Sequence, residues 1–372
     1  MTRQWNMKTE AGEIMDLLSL LTEAVRAGAS DLFLIPGAPE TAKVNGVLKP
    51  LSNERLTPEK AGAIITQIYS LANNRQRSIL QKHGDDDFSF SVSNLGRFRL
   101  NAYKQRNSLA AVLRCVSYSV PDPAAMNIPK EVLDLCSLRN GLVLITGAAG
   151  SGKSTTLACM IDKINRERSG HIITLEDPIE YLHGHKKSLV SQREVSQDTE
   201  SYASALRAAL RQSPNVILLG EMRDLETIQT ALTAVETGQL LLSSLHTIGA
   251  AQTVDRIIDV FPAEQQQQVR PQLALVLRAV ISQQLIPAID GSIVPAFEIM
   301  ICNTAIQNMI RDGKAHQMDS VIKLSAREGM RTMDDDLLRL VTEGKITPSS
   351  ALMYSIYPDQ LRKKLEEKRF IK

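Results

Sequence analysis

Apolar positions in the first third of the chain recur at two different spacings. In "IMDLLSLLTEAVRA" (14–27) they return every three to four residues and stop before Gly28, which predicts an amphipathic helix ending at a glycine. "SDLFLI" predicts a short strand. "AKVNGVLKPL" predicts two strands around Asn45-Gly46, a dipeptide suited to the left-handed positions of a tight hairpin turn. After a helix-like "PEKAGAIITQIYSLA", the stretches "DDDFSFSVS", "GRFRLNAYKQR" and "LAAVLRCVSY" alternate apolar and polar residues, as strands with one buried face do. Residues 1–118 therefore read as a small α+β domain. The following "SVPDPAAMNIP" (119–129) holds three prolines in eleven residues, which suits neither a helix nor a central strand, and it reads as a linker.

From residue 130 to 372 the rhythm changes. Short apolar, β-rich runs ("LVLIT", "HIITL", "NVILLG", "LLLSSLH") are separated by helical segments such as "TLACMIDKINRE", "YASALRAALRQ" and "LETIQTALTAVET". That alternation predicts an α/β domain whose mostly parallel sheet is covered by helices, with ligands bound at the carboxyl ends of the strands. From about residue 300 the pattern is mainly helical; "EQQQQ" (264–268) and the charged "LEEKRFIK" read as solvated helix faces, and no internal repeat is evident.

Composition narrows the function classes. With 43% hydrophobic and 23% charged residues, the 372-residue chain has the balance of a globular protein of two or three domains. It contains no run of about 18 apolar residues. The start, "MTRQWNMKTEAGE", lacks the apolar stretch of a secretory signal, so the expected location is the cytoplasm. Cys115, Cys136, Cys159 and Cys302 have no paired spacing and read as reduced thiols rather than metal ligands. A net charge of +2 and 4% aromatic residues offer neither a basic groove nor a stacking platform, so nucleic acid is not an expected partner.

The chemistry begins with "GAAGSGKST" (147–155), where Gly147, Gly152, Lys153 and Ser154 fill Gly-x-x-x-x-Gly-Lys-[Ser/Thr] between a strand and a helix. Such a loop curls so that the backbone N–H groups of Gly147, Ala148, Ala149, Gly150, Ser151 and Gly152 can face phosphate oxygens. Lys153 adds a point charge, Ser154 a hydroxyl for Mg²⁺, and Thr155 continues into the helix whose N-terminus favours an anion. The expected ligands are ATP and Mg²⁺. "ITLEDPIEY" places Glu176, Asp177 and Glu180 after a strand end, where one carboxylate could polarise an attacking water; Asp177 before Pro178 also reads as a turn opener. "NVILLGEMRD" brings Glu221 to another strand end as the Mg²⁺ candidate, with Gly220 where an aspartate is commoner, so that Glu180 is the natural second carboxylate. His246, at the end of "LLLSSLH", reads either as a structural side chain or as a γ-phosphate sensor, and His183 and His185 as loop histidines before a metal pair. Arg97, Arg99 and Arg114 read either as a solvated charged face or as arginines that reach the nucleotide of another subunit.

These residues resemble a known family. "GAAGSGKSTT", "LEDPIEY", "LVSQREVSQDT", "ALRAALRQSPNVILLGEMRDLETIQTALTAVETG", "LHT" and "DRIIDVFPAEQQQQVR" are similar to the type IV pilus retraction ATPases PilT and PilU. The resemblance spans nearly the whole chain. It implies a PAS-like N-terminal domain, a RecA-like motor, a homohexameric ring with ATP between domains, and pilus retraction driven by closure around ATP. By motif it implies Glu180 as the catalytic glutamate, Glu221 as an atypical Walker B residue, His246 as the His-box histidine, and Arg97, Arg99 and Arg114 as arginines that approach nucleotide. It also implies attachment at the inner face of the cell membrane through a pilus platform protein, with paralogous ATPases as further partners. The retraction motif Ala-Ile-Arg-Asn-Leu-Ile-Arg-Glu is altered here to "AIQNMIRD" (305–312), where Gln307 replaces the first Arg and Asp312 replaces the Glu, both changes of charge geometry. "SDLFL", "YKQRN" and "ISQQLIPAIDG" lean toward PilU. A pilus-extension or secretion ATPase is the nearest enzymatic alternative, but it commonly carries extra N-terminal domains and a four-cysteine zinc element. A nucleotide-reading module without turnover would need neither Glu180 nor Glu221.

Overall fold

Alternation along the early strands has a simple physical outcome, one face buried and one wet. The computed structural model describes residues 17–371 apart from 45, 94 and 117–119, and divides the chain into two units, Met1–Tyr118 and Ser119–Lys372. In the first, helix α1 (Leu17–Arg26) buries Leu17, Leu20, Leu21 and Ala24, the stripe expected from its spacing; 14–16 lie outside the described residues. Strands β1 (Asp31–Leu34), β2 (Thr41–Val44) and β3 (Val47–Pro50) are followed by α2 (Pro58–Leu71), α3 (Ser78–His83), β4 (Asp85–Val92), β5 (Gly96–Gln105) and β6 (Ser108–Val116). All pair antiparallel in the order β3-β2-β1-β6-β5-β4. Val44 pairs with Val47, so the hairpin turns at 45–46, where Gly46 has φ +80°; Asn45 lies outside the described residues. Thr57 caps α2 by accepting the Lys60 N–H at 3.2 Å, and α2 buries Ile64, Ile65 and Ile68 in a core shared with Leu32, Phe98, Leu100 and Leu113.

The second unit begins with α4 (Lys130–Asp134). Then come β7 (Gly141–Thr146), α5 (Lys153–Glu167), β8 (His171–Glu176), β9 (Leu189–Glu194), α6 (Tyr202–Ala209), β10 (Val216–Leu219), α7 (Leu225–Glu236), β11 (Leu240–Leu245), α8 (Ala250–Asp259) and α9 (Ala263–Val276). Its sheet closes with β12 (Leu277–Pro287) and β13 (Ile293–Ile301), and the chain continues as α10 (Thr304–Asp312), α11 (Met318–Leu324), α12 (Met333–Thr342), α13 (Pro348–Tyr354) and α14 (Pro358–Glu367). Seven strands lie in the order β13-β12-β7-β11-β10-β8-β9, parallel except for the β12–β13 pair. Strands β7, β10 and β11 are buried along their whole length, because one apolar layer on each side of the sheet covers them; this is why they read as unbroken apolar runs.

One feature differs from the sequence reading, and one boundary was not marked by it. Residues 120–129 belong with the second unit: Val120 packs on the core beneath α5, the Cys159 thiol donates to the Pro121 carbonyl at 3.3 Å, and Ile128 is buried. The run "VRPQLALVLRAVISQQLIP" is one apolar stretch that changes from α9 to β12 between Val276 and Leu277 without a turn, so its periodicity hides the boundary. The mainly helical region begins at α10, after β13 ends at Ile301, where the sequence pattern puts it. The exposed "EQQQQ" lies in the first turns of α9, as expected. All four cysteines are free, and Cys136, Cys159 and Cys302 are buried. Among the described residues, no helix is long and apolar enough to cross a membrane.

Candidate active site

Parallel strands deliver their carboxyl ends to a single edge, and the distinctive polar residues collect there. The loop after β7 reaches Gly152 and opens α5 at Lys153. Gly147 (φ +140°) and Gly152 (φ +85°) are conformationally required, and space requires them too. A Cβ at Gly147 would lie 2.2 Å from the Gln283 carbonyl oxygen, and one at Gly152 2.8 Å from Gln283 Nε2. Gln283, buried in β12 beside β7, also accepts the Thr156 hydroxyl at 2.8 Å, so it supports the loop from behind. It was not legible in advance; its one signal is an adjacent pair of glutamines in a buried apolar run.

Lys153, a residue only 7% exposed, donates through its ammonium to the carbonyls of Gly147 and Ala148 at 2.9 Å each, and that group lies 3.4 Å from His246 Nδ1. Burial lowers its pKa, while the carboxylates of Glu221 and Glu180 pull it back up. Ala149, Gly150, Lys153, Ser154, Glu180 and Glu221 line one cavity of about 390 Å³ together with Glu176, Asp177 and His246. Ser151 is buried, and the Thr155 hydroxyl meets the Tyr181 hydroxyl at 2.9 Å, tying the start of α5 to the segment after β8.

Within that segment, Glu176 and Glu180 have separate environments. Glu176 accepts the Thr174 hydroxyl at 2.6 Å and Gln192 Nε2 at 3.2 Å, and the Glu180 backbone N–H also bonds to its carboxylate. Burial outweighs these bonds and pushes the Glu176 carboxyl up to about 7. Glu180 is exposed into the cavity. Gln192 also donates to the Tyr181 carbonyl at 2.9 Å and accepts the His183 N–H at 2.7 Å, so β9 fixes the turn that carries Glu180. Burial lowers the His183 imidazole to about 4, and His183 lines the same cavity, while His185 Nδ1 accepts the Val190 N–H at 3.1 Å. No group of three metal-ligating side chains occurs among the described residues.

At the end of β10, Glu221 Oε2 lies 2.7 Å from Arg223 Nε and 3.5 Å from His246 Nε2. His246 thus stands between Lys153 and Glu221. Gly220 has a steric reason: a Cβ there would lie 2.7 Å from the Tyr202 hydroxyl, which fills the space an aspartate would need. Arg97, Arg99 and Arg114 lie in the first unit. Arg97 and Arg99 alternate with buried Phe98 and Leu100 on β5, and Arg114 pairs with Arg99 across β6. Arg99 is bidentate to Asp87 (2.9 and 2.8 Å), Arg114 meets Asp31 at 3.3 Å, and Arg97 donates to Ser91 at 3.3 Å. A glycine-lysine loop, a hydroxyl, two separated carboxylates and an imidazole in one cavity are the chemical inventory for holding a polyphosphate and hydrolysing it.

The chain matches the type II/IV secretion system protein family over residues 8–321. It is 45% identical to the type IV pilus retraction ATPase PilT of Pseudomonas aeruginosa, covering 91% of this chain and 97% of that protein. It is 39% identical to the type IV pilus ATPase PilU of the same organism, covering 94% and 91%. A crystal structure of the pilus retraction motor PilT with bound ADP superposes with a TM-score of 0.85 at 47% identity, over 93% of this chain and 98% of that one. The nucleotide loop, the mostly parallel sheet and this near full-length likeness agree: the chain belongs to the type II/IV secretion system protein family, within its PilT/PilU group of RecA-like ATPases.

Proposed function

We propose that this ATPase powers the retraction of type IV pili and so twitching motility. The observation that supports it most is the convergence of Lys153, Glu180, Glu221 and His246 on one cavity, in a chain that aligns with PilT almost end to end. In this reading the loop 147–155 holds the phosphates of ATP, with Lys153 exchanging its bonds to the Gly147 and Ala148 carbonyls for phosphate oxygens. Glu180 orients and deprotonates the attacking water, and His246 senses the γ-phosphate beside Lys153. Ser154 and Glu221 form a hard oxygen donor set suited to Mg²⁺, which when bound neutralises phosphate charge. Arg97, Arg99 and Arg114, carried on a PAS-like first unit, complete the site of a neighbouring subunit in a homohexameric ring, and closure around ATP drives that unit against the motor unit. The ring works at the cytoplasmic face of the inner membrane against the pilus platform protein, alongside paralogous ATPases.

A strain lacking this chain is expected to assemble surface pili, in excess, yet fail to shorten them. Absence of pili would favour an extension motor instead. Normal retraction would favour an accessory, PilU-like role, the reading that Gln307 and Asp312 in α10 support. Ring completion is tested by mixing Arg114→Ala subunits with Lys153→Ala subunits: hybrid interfaces regain activity if the arginine acts in trans, and demonstrably mixed rings that stay inactive would oppose it.

A further inference from the structure

His246 is carried on a short loop between the end of β11 at Leu245 and the start of α8 at Ala250. Two buried side chains that face each other across the β12–β13 pair, Ser282 and Glu298, take the last two amides of that loop. Ser282 Oγ accepts the Gly249 N–H at 3.0 Å, and Glu298 Oε1 accepts the Ala250 N–H at 2.6 Å. These are helix-start amides, which have no carbonyl partner inside their own helix. Glu298 Oε2 accepts a second such amide, the Met333 N–H at the start of α12, at 3.4 Å. Glu298 is 2% exposed, and burial, with Asp319 and Asp334 nearby, raises its carboxyl to about 7 against the pull of the two N–H groups. A buried carboxylate is costly where an apolar side chain would pack, so its retention calls for a positional reason.

We propose that Ser282 and Glu298 are positioning residues that hold the His246 loop in its hydrolytic geometry, and that Glu298 makes that geometry depend on the seating of α12. Neither side chain is among those lining the nucleotide cavity, so both act through the loop. The inference rests on the reading of His246 as the γ-phosphate sensor. The test uses the full chain and compares Glu298→Gln, Ser282→Ala, their double variant and His246→Ala in steady-state ATP hydrolysis, ADP binding and hydrogen exchange of peptides covering 246–256. The expected result is a kcat lowered about tenfold or more in Glu298→Gln, with KM and ADP affinity unchanged, because small misplacements at a reacting centre are expensive. Ser282→Ala should move the same way by less, the double variant should fall short of the product of the two, and exchange at 246–256 should quicken in each. Folded variants with wild-type kcat and exchange overturn the proposal, as does a loss of kcat that only follows lost ADP affinity. Should Glu298→Gln not fold, Ser282→Ala carries the same test. If His246→Ala itself hydrolyses normally, the sensor reading fails, while the exchange rates still decide whether the pair holds the loop.

Discussion

The two sheets of this chain place their polar residues by different rules. In the antiparallel sheet, one face is core and the other carries polar side chains in mid-strand. Arg99 there finds Asp87, 12 residues away across the β4–β5 hairpin, and Arg114 finds Asp31, 83 residues away across the β1–β6 pair. Along the central parallel strands β7, β10 and β11 both faces are covered, the strands are apolar over most of their length, and polar residues come mainly at or just after their ends. Because those ends share one edge, Lys153, Glu176, Glu221 and His246, from segments up to 93 residues apart, arrive in or beside one cavity. Crossed parallel connections therefore gather residues at one edge, whereas antiparallel pairing sets residues side by side on a face, whether near in sequence, as Arg99 and Asp87, or far apart, as Arg114 and Asp31.

The sharpest way to break this contrast is at the edge. Lys153→Ala is expected to reduce ATP hydrolysis by about 100-fold or more, mainly through lost phosphate binding, with the fold kept. Equal turnover by the purified wild type and variant would remove the loop from the chemistry. Next, Glu180→Gln keeps shape and loses charge, so ATP should still bind while kcat falls about 100-fold to 10,000-fold. Binding and turnover lost in parallel would make Glu180 structural.

Glu176 sharpens the comparison through pH. Its carboxyl, ordinarily near 4.5, is pushed up to about 7 by burial, so between those pH values the native state holds a proton that the unfolded chain has released. Wild-type stability from this group therefore falls as pH rises from about 4.5 to about 7 and is level above, a loss on the order of 3 kcal/mol. Glu176→Gln removes that loss, so its stability relative to wild type should improve across the window in urea titrations at pH 5 and pH 8. A pH-independent difference would mean that Glu176 is not raised. The smallest effect belongs to the antiparallel face. The Arg99–Asp87 pair is more than a third exposed at both side chains, so a double-mutant cycle on unfolding should give only about 0.2–1 kcal/mol. Under the proposed role at a neighbouring subunit's site, Arg99→Ala should cut ATP turnover strongly while stability barely moves; unchanged turnover would leave that face with its local pairing only.

Much of the candidate site was legible because its spacing is local. The loop 147–155 lies within nine residues, between a strand and a helix that the apolar pattern marks, and Glu180, Glu221 and His246 each follow a β-rich run. Residues such as Gln283, Tyr202, Gln192 and Tyr181 were not legible, because each matters only through what it touches across the sheet: Gln283 behind Gly147, Tyr202 over Gly220, Gln192 across the turn from Tyr181 to His183.

The sequence alone determined the elements with a short period and their order: the hairpin strands of the first unit, the alternating strands and helices of the second, and the glycines where the phosphate loop must curl. Backbone sterics and one-dimensional burial patterns act over a few residues, and those can be read along a line. Only the tertiary structure decided that β12 lies against β7 and so behind the phosphate loop, that the apolar run 269–287 splits into helix and strand, and that 120–129 packs with the second unit. It also decided that the Glu176 carboxyl, part of a half-buried residue, is desolvated and raised while Glu180, four residues on, is exposed. Burial of a carboxylate depends on which distant surfaces close over it, a property of packing in three dimensions that no local pattern encodes.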